Sequence, residues 1–248
     1  MYKEAVRRAV ATPLAALALA GCGGGGAEEL LPDLLQTEPR ALEVFTEDGR
    51  DLLTFVSAVD NVGTGPLVLE SRRPSFDEPK MSIRQLVHRD DGSEAAYAVA
   101  GEVRYVDSET HRHWHVLRFE RYELRALDGR LVAPDRKTGF CLGDRYDTHR
   151  NERIPGEPED PVWIGECGRG QPERLVLRQG LSPGFGDDYV PRLEGQYVDV
   201  TEVPEGRYRL VHRVNVDRTL RESDYTNNSA SVVVIIERVG GTVRARAV

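Results

Sequence analysis

No run in this sequence is long and apolar enough to cross a bilayer, which takes roughly 20 residues of continuous apolar chain. The longest candidate, from about Ala9 to Ala20, stops well short of that. Helical periodicity is also missing: no segment longer than ten residues keeps an apolar stripe at three- and four-residue spacing. There is no internal repeat, which excludes solenoids and propellers. Positive charge is in deficit, with 33 Lys and Arg against 41 Asp and Glu and a formal net charge of −8. An acidic chain of this kind is a poor nucleic-acid binder and favours cationic partners such as amines or lysine-rich polypeptides. Cysteine is scarce too, at three residues, which rules out a disulfide-dense scaffold.

What is present begins with an export signature. Lys3, Arg7 and Arg8 precede the apolar stretch, and small residues follow it, the layout of a secretory signal. The stretch ends Leu19-Ala20-Gly21-Cys22, which looks like the lipobox of bacterial lipoproteins. By that resemblance residues 1–21 are a signal peptide and Cys22 carries lipid, and residues 22–30, with Gly23 to Gly26, form a flexible tether. Such a chain is exported and anchored to the bacterial cell envelope by lipid rather than spanning it. An ordinary signal peptide with a chance cysteine is the plainer alternative. Losing residues 1–21 removes three basic and one acidic side chain, deepening the charge from −8 to −10. With Cys22 lipidated, Cys141 and Cys167 remain as an even pair in an oxidising compartment, so a disulfide between them is expected.

Residues 31–248 read as one mainly β domain, sandwich-like, of two packed sheets with long irregular loops. Leu52–Val56, Pro66–Leu69 and Val103–Val106 are short strand-like runs bounded by turn residues. Tyr208, Leu210, Val214 and Val216 alternate with polar residues, as in a half-buried strand. Ser231–Ile236 is apolar on both faces and is expected to be a central strand. Residues 142–174, crowded with Gly, Pro and charge, read as a long excursion in which only Val162-Trp163-Ile164 is expected to be buried.

The strongest chemical signal is His111-Arg112-His113-Trp114-His115. On a strand, alternate residues share a face, so three imidazoles would point one way. Adjacent same-face residues lie roughly 6.6–7 Å apart, so a bend is needed to bring three nitrogens to one ion. Three neutral imidazoles suit copper, zinc or nickel and leave positions open for water or substrate. A histidine-bearing surface strand is the plainer alternative. His88, His149 and His212 stand alone in the sequence and are assigned no role.

Beyond the histidines come Lys137-Thr138-Gly139-Phe140-Cys141-Leu142, then Gln179-Gly180-Leu181-Ser182-Pro183-Gly184 and Asp188-Tyr189. Gln196–Thr201 and Glu222–Asn228 follow, and Leu31-Pro32-Asp33-Leu34 stands upstream. This series, in this order, resembles the catalytic domain of lysyl oxidases from about Leu31 to Ile236. The resemblance implies copper on His111, His113 and His115. It also implies a lysyl tyrosylquinone built from Lys137, before Phe-Cys-Leu, and Tyr189, after Gly-Leu-Ser-Pro-Gly. The implied activity is oxidative deamination of a primary amine or lysine side chain by dioxygen, giving an aldehyde, ammonia and hydrogen peroxide. Lys137 must be neutral to add to an oxidised ring, so its surroundings must favour the uncharged amine. Asp187, Asp188 and Asp199 are the candidate bases. Many members of the family are richer in disulfides, and here the interval between Lys137 and Tyr189 is longer, which leaves the substrate open.

Two other readings fit parts of the chain. A zinc hydrolase or lyase could use the three histidines and a metal-bound hydroxide. A non-catalytic adhesion module is suggested by Pro204–Tyr208 through Asn227-Asn228 to Ile236, which looks like the last hairpin of an immunoglobulin-like domain.

Overall fold

A computed structural model describes residues 26–108, 111–134, 139–148, 152–193 and 195–248. Among them there is no helix, and strands dominate, as the missing helical period implies. Residues 1–25, with the signal and Cys22, and Lys137 lie outside the described residues.

The strands form three antiparallel sheets rather than the expected two. The first runs β12 (Val176–Leu181), β5 (Leu67–Arg72), β6 (Lys80–Arg89), β7 (Glu94–Asp107), β8 (Arg112–Val116), with β1 (Glu29–Leu30) on β6, so the last two residues of the expected tether are strand instead. The second runs β10 (Leu131–Pro134), β9 (Glu120–Ala126), β15 (Gly206–Val214), β16 (Ser229–Val239), β17 (Thr242–Ala247). The third is built along β4 (Arg50–Asn61), whose first half pairs with β3 (Arg40–Glu47) and β14 (Val198–Asp199). Its second half pairs with β2 (Leu34–Gln36) and β13 (Phe185–Tyr189), and β11 (Tyr146–Asp147) closes the edge. A twelve-residue strand can serve two sets of partners because each end offers its own ladder of N–H and C=O groups.

The apolar alternation explains the core. Leu53, Phe55 and Val59 of β4 pack with Tyr122 and Leu124 of β9 and Leu210 and Val214 of β15. The reading of β16 needs correction, since it is buried on one face only. Val232, Val234 and Ile236 are buried while Val233 and Ile235 are half-exposed. β-branched residues favour a pleated surface even where nothing covers it, so an apolar run does not by itself mark two buried faces.

The excursion of residues 142–174 is irregular, as its composition implies, with β11 its only described strand. A disulfide joins Cys141 to Cys167. Inside the loop, the buried Asp144 carboxylate accepts from the Val162, Trp163 and Ser182 amides and from the Ser182 hydroxyl at 2.8–3.0 Å. Four donors offset the cost of hiding that charge. The apolar triplet is not buried as expected: Val162 and Ile164 are 58% and 70% exposed, because the anchoring is done by the backbone of residues 162–163.

Candidate functional site

Strand β8 is the edge of its sheet, and its free side is covered by the two ends of the excursion. The Trp114 amide donates to Cys167 O at 2.9 Å and Gly170 N to Arg112 O at 2.7 Å. Val116 and Phe140 exchange both backbone hydrogen bonds, at 2.8 and 2.9 Å. Trp114 fills the opposite face from His113 and His115, with its indole N–H on Gln171 O and the Arg73 guanidinium 4.8 Å from its ring. An edge strand is thereby turned into a buried one, and His111, His113 and His115 are each buried.

The three imidazoles do converge. Ring centroids lie 5.5 Å apart for His111 and His113, 5.4 Å for His111 and His115, and 4.6 Å for His113 and His115. On a straight strand the first and third would stand about 13 Å apart. The needed bend comes from His111, which precedes β8 and is not part of its ladder. The Nε2 atoms of His113 and His115 are 2.7 Å apart, so one ring donates to the other. Two nitrogens on one tetrahedral ion at the usual 2.0–2.1 Å bond length stand about 3.3 Å apart. Among the described residues no three ligating side chains are therefore spaced ready for an ion. As a donor set, three buried imidazoles fit copper, zinc or nickel.

Tyr189 stands at the end of β13, across from Ser57 of β4. Its hydroxyl is 2.7 Å from Cys141 O and 3.0 Å from Asp187 Oδ2, and its ring meets Phe140 edge-on at 5.3 Å. Asp187 shares a strand face with Tyr189, is fully buried, and lies 3.5 Å from the Arg145 guanidinium. Burial first, then the charges of Asp187 and Glu120, push the phenol well above its ordinary value, while Arg145 opposes the rise. Of the three candidate bases only Asp187 touches Tyr189. Asp188 points the other way, 3.9 Å from Arg40 at the surface, and Asp199 binds the amide and hydroxyl of Thr201.

One short segment joins the two halves of this site. A Cβ placed on Gly139 would fall 2.6 Å from the Cβ of His115, so only glycine fits there. Phe140 pairs with Val116, and Cys141 accepts from Tyr189. Three consecutive residues thus touch the last histidine at one end and the tyrosine at the other. Lys137, two residues before Gly139, lies outside the described residues.

Sequence reasoning missed Glu120 and His212. Both are buried in the second sheet, paired through His212 Nε2. A signal was available: Glu120 alternates with Tyr122 and Leu124, and His212 with Leu210 and Val214, so each sits on an apolar face.

Residues 166–243 match the lysyl oxidase family model. Lysyl oxidase homolog 2A of Danio rerio is 36% identical over 121 residues, 48% of this chain and 14% of that protein. Lysyl oxidase homolog 2 of Bos taurus is 31% identical over 129 residues, 52% of this chain and 15% of its own length. Lysyl oxidase homolog 2B of Danio rerio aligns over 214 residues at 27% identity, 83% of this chain and 25% of that protein. The chain is thus similar to lysyl oxidases, with the match to the family model lying in residues 166–243. Its match to these relatives covers at most a quarter of their length.

Proposed function

We propose that this chain is a member of the lysyl oxidase family and a copper-dependent amine oxidase acting on primary amines, with the side chain of lysine as the model substrate and dioxygen as the oxidant. The observation that carries the reading is the Gly139–Cys141 segment, which touches His115 and the Tyr189 hydroxyl within three residues. His111, His113 and His115 would hold the copper, each through one neutral ring nitrogen. Lys137 and Tyr189 would supply the lysyl tyrosylquinone. When present, copper and the quinone supply the oxidising power and an electrophilic carbonyl for amines.

The chain's own residues do the rest. Asp187 Oδ2 faces the Tyr189 hydroxyl at 3.0 Å and can take a proton released at that position, within the distance a general base needs. Arg145 restrains that carboxylate from the other oxygen. Phe140 and the covering excursion keep water from the inner face of the tyrosine ring. The acidic balance of the chain attracts cationic amines at low salt. Residues 31–248 would form the catalytic domain, with a signal peptide in residues 1–21 and export to the cell envelope on a lipid carried by Cys22.

Protein purified without metal should give separate Lys137 and Tyr189 peptides. Adding copper in air should convert them to one cross-linked peptide, with visible absorbance and amine-dependent peroxide. Tyr189→Phe should keep the copper and lose all three signals. A Tyr189→Phe protein that still oxidises amines defeats the cofactor assignment. A protein that takes up zinc in preference and hydrolyses substrates with Tyr189 replaced would favour the hydrolase reading instead.

A further inference from the structure

The core between the second and third sheets holds a polar group that packing alone does not require. His212 of β15, Glu120 and Tyr122 of β9, Gln36 of β2 and Ser57 of β4 are all buried among Phe55, Val59 and Leu210. Burying such groups costs stability unless each is satisfied, so a sheet core normally uses Leu or Val in these places.

The hydrogen bonds fix the protons. Gln36 Nε2 donates to Ala58 O at 2.7 Å, which settles which end of the amide is nitrogen. The same Nε2 lies 2.7 Å from His212 Nδ1, so Nδ1 accepts and carries no hydrogen. The ring's one N–H is therefore at Nε2, which donates to Glu120 Oε2. The other oxygen, Glu120 Oε1, is buried and has no hydrogen-bond partner among the described residues. His212 is the ion-pairing partner of Glu120 among the described residues, and no Lys or Arg joins it. One oxygen is thus committed to a fixed donor, and the other can accept a proton.

Two rings in series, those of Tyr122 and Phe140, lie between His212 and Tyr189. The Tyr122 ring stacks on His212 at 4.7 Å and meets Phe140 at 6.3 Å, and Phe140 meets Tyr189 at 5.3 Å. The Tyr122 hydroxyl is 3.3 Å from Ser57 Oγ, and Ser57 is the cross-strand partner of Tyr189. The closeness is felt electrostatically, since the Glu120 charge is one of the causes that hold the Tyr189 phenol up.

We propose that Glu120, oriented by His212, is a second proton acceptor of the Tyr189 site. This rests on the amine oxidase reading. In that reaction R–CH2–NH3+, O2 and H2O become R–CHO, NH4+ and H2O2. The substrate carbon loses two electrons and dioxygen gains them. Two protons leave the substrate, one from its ammonium and one from its α-carbon, before dioxygen takes up two on becoming peroxide. The site has to hold both in the interval. Asp187 Oδ2 can take one, and Glu120 Oε1 takes the other, becoming a carboxylic acid that keeps its bond from His212 at Oε2.

The test compares copper-loaded wild type and Glu120→Gln, which keeps the shape and the acceptor for His212 but cannot hold a proton. Copper content and the Lys137–Tyr189 cross-link should be unchanged. On anaerobic mixing with amine, wild type should gain an infrared carbonyl band of a buried carboxylic acid that the variant lacks. The variant should also release one more proton per site to an indicator dye, and its kcat should fall by about 10²-fold. Glu120→Asp should restore part of the rate and the band. If Glu120→Gln does not fold, His212→Gln, which removes the imidazole donor to Glu120, should shift that infrared band in frequency. A variant with wild-type band, proton count and rate overturns the role of Glu120 alone. A wild-type protein that forms no quinone with copper and air overturns the amine oxidase reading, and this role with it.

Discussion

His212 and the group of His111, His113 and His115 are equally hidden from solvent, yet they are held in opposite ways. His212 is gripped at both ring nitrogens, by Gln36 on one side and Glu120 on the other, so its tautomer and orientation are set by the fold. In the other group the neighbour of each imidazole is another imidazole, and two Nε2 atoms face each other at 2.7 Å. A ring whose two nitrogens are committed to the protein is a poor ligand, whereas two rings that share a hydrogen bond can part to admit a cation. The difference shows why burial alone does not identify a metal ligand: what matters is where each nitrogen's lone pair is spent.

The largest effect should fall on that contrast directly. His113→Ala should abolish stoichiometric copper binding, while His212→Ala should leave it intact, as equilibrium dialysis with metal analysis would show. Equal loss in both variants would break the distinction.

Stability should sort the same residues the other way. His212→Ala strands the buried Glu120 and Gln36, and losing one member of a buried pair costs about 3–5 kcal/mol. His111→Ala in metal-free protein should cost nearer the typical 1 kcal/mol. Urea unfolding measures both, and a His212→Ala protein as stable as His111→Ala would sink the account of the core.

Opening the Cys141–Cys167 bridge should come next. A closed loop of this size stabilises by about 3 kcal/mol in the chain-entropy model. The paired Cys141→Ser and Cys167→Ser variant should also bind copper more weakly, since both ends of the bridge lie against β8, while the ring NMR signals of His212 stay put. Unchanged copper affinity would show that the histidines hold their places without the excursion.

The smallest effect concerns a charge cluster remote from both sites. Arg72 first, then Arg84 and Arg178, hold the buried Glu70 carboxyl down to about 2 against the opposing effect of burial. A lowered folded-state value contributes stability above the ordinary carboxylate range, and that contribution is lost as pH falls through that range toward about 2. Glu70→Gln should flatten the acid limb of the stability profile between about pH 6 and about pH 3 and leave copper binding alone. An unaltered acid limb would show that the three arginines do little beyond the surface.

The sandwich strands were legible because alternation reports which residues share a face. Leu52–Val56, Val103–Val106 and Tyr208–Val214 all fall within strands, with Val216 beyond the end of its own. The histidines and Tyr189 could be singled out because their motifs keep local spacing, and the convergence of the three rings is what the structure adds. The sheet count, the single buried face of β16 and the exposure of Val162 and Ile164 were not legible. Those depend on what covers a face, and the cover comes from residues far away in sequence. Glu120 and His212 were hidden for the same reason: 92 residues separate two groups that meet only in the folded core.

The bridge between Cys141 and Cys167 makes the surroundings' redox poise a part of the site's construction. With thiols reduced, the segment carrying Gly139 to Cys141 would be kept beside the histidines by the two ladder bonds of Phe140 and by its contact with Tyr189. With the bridge closed, that segment and the strand it flanks share a second tether, so their local concentration rises for as long as a slow reaction needs. If the proposed cofactor forms, closing the bridge beforehand would favour it by holding that segment in place.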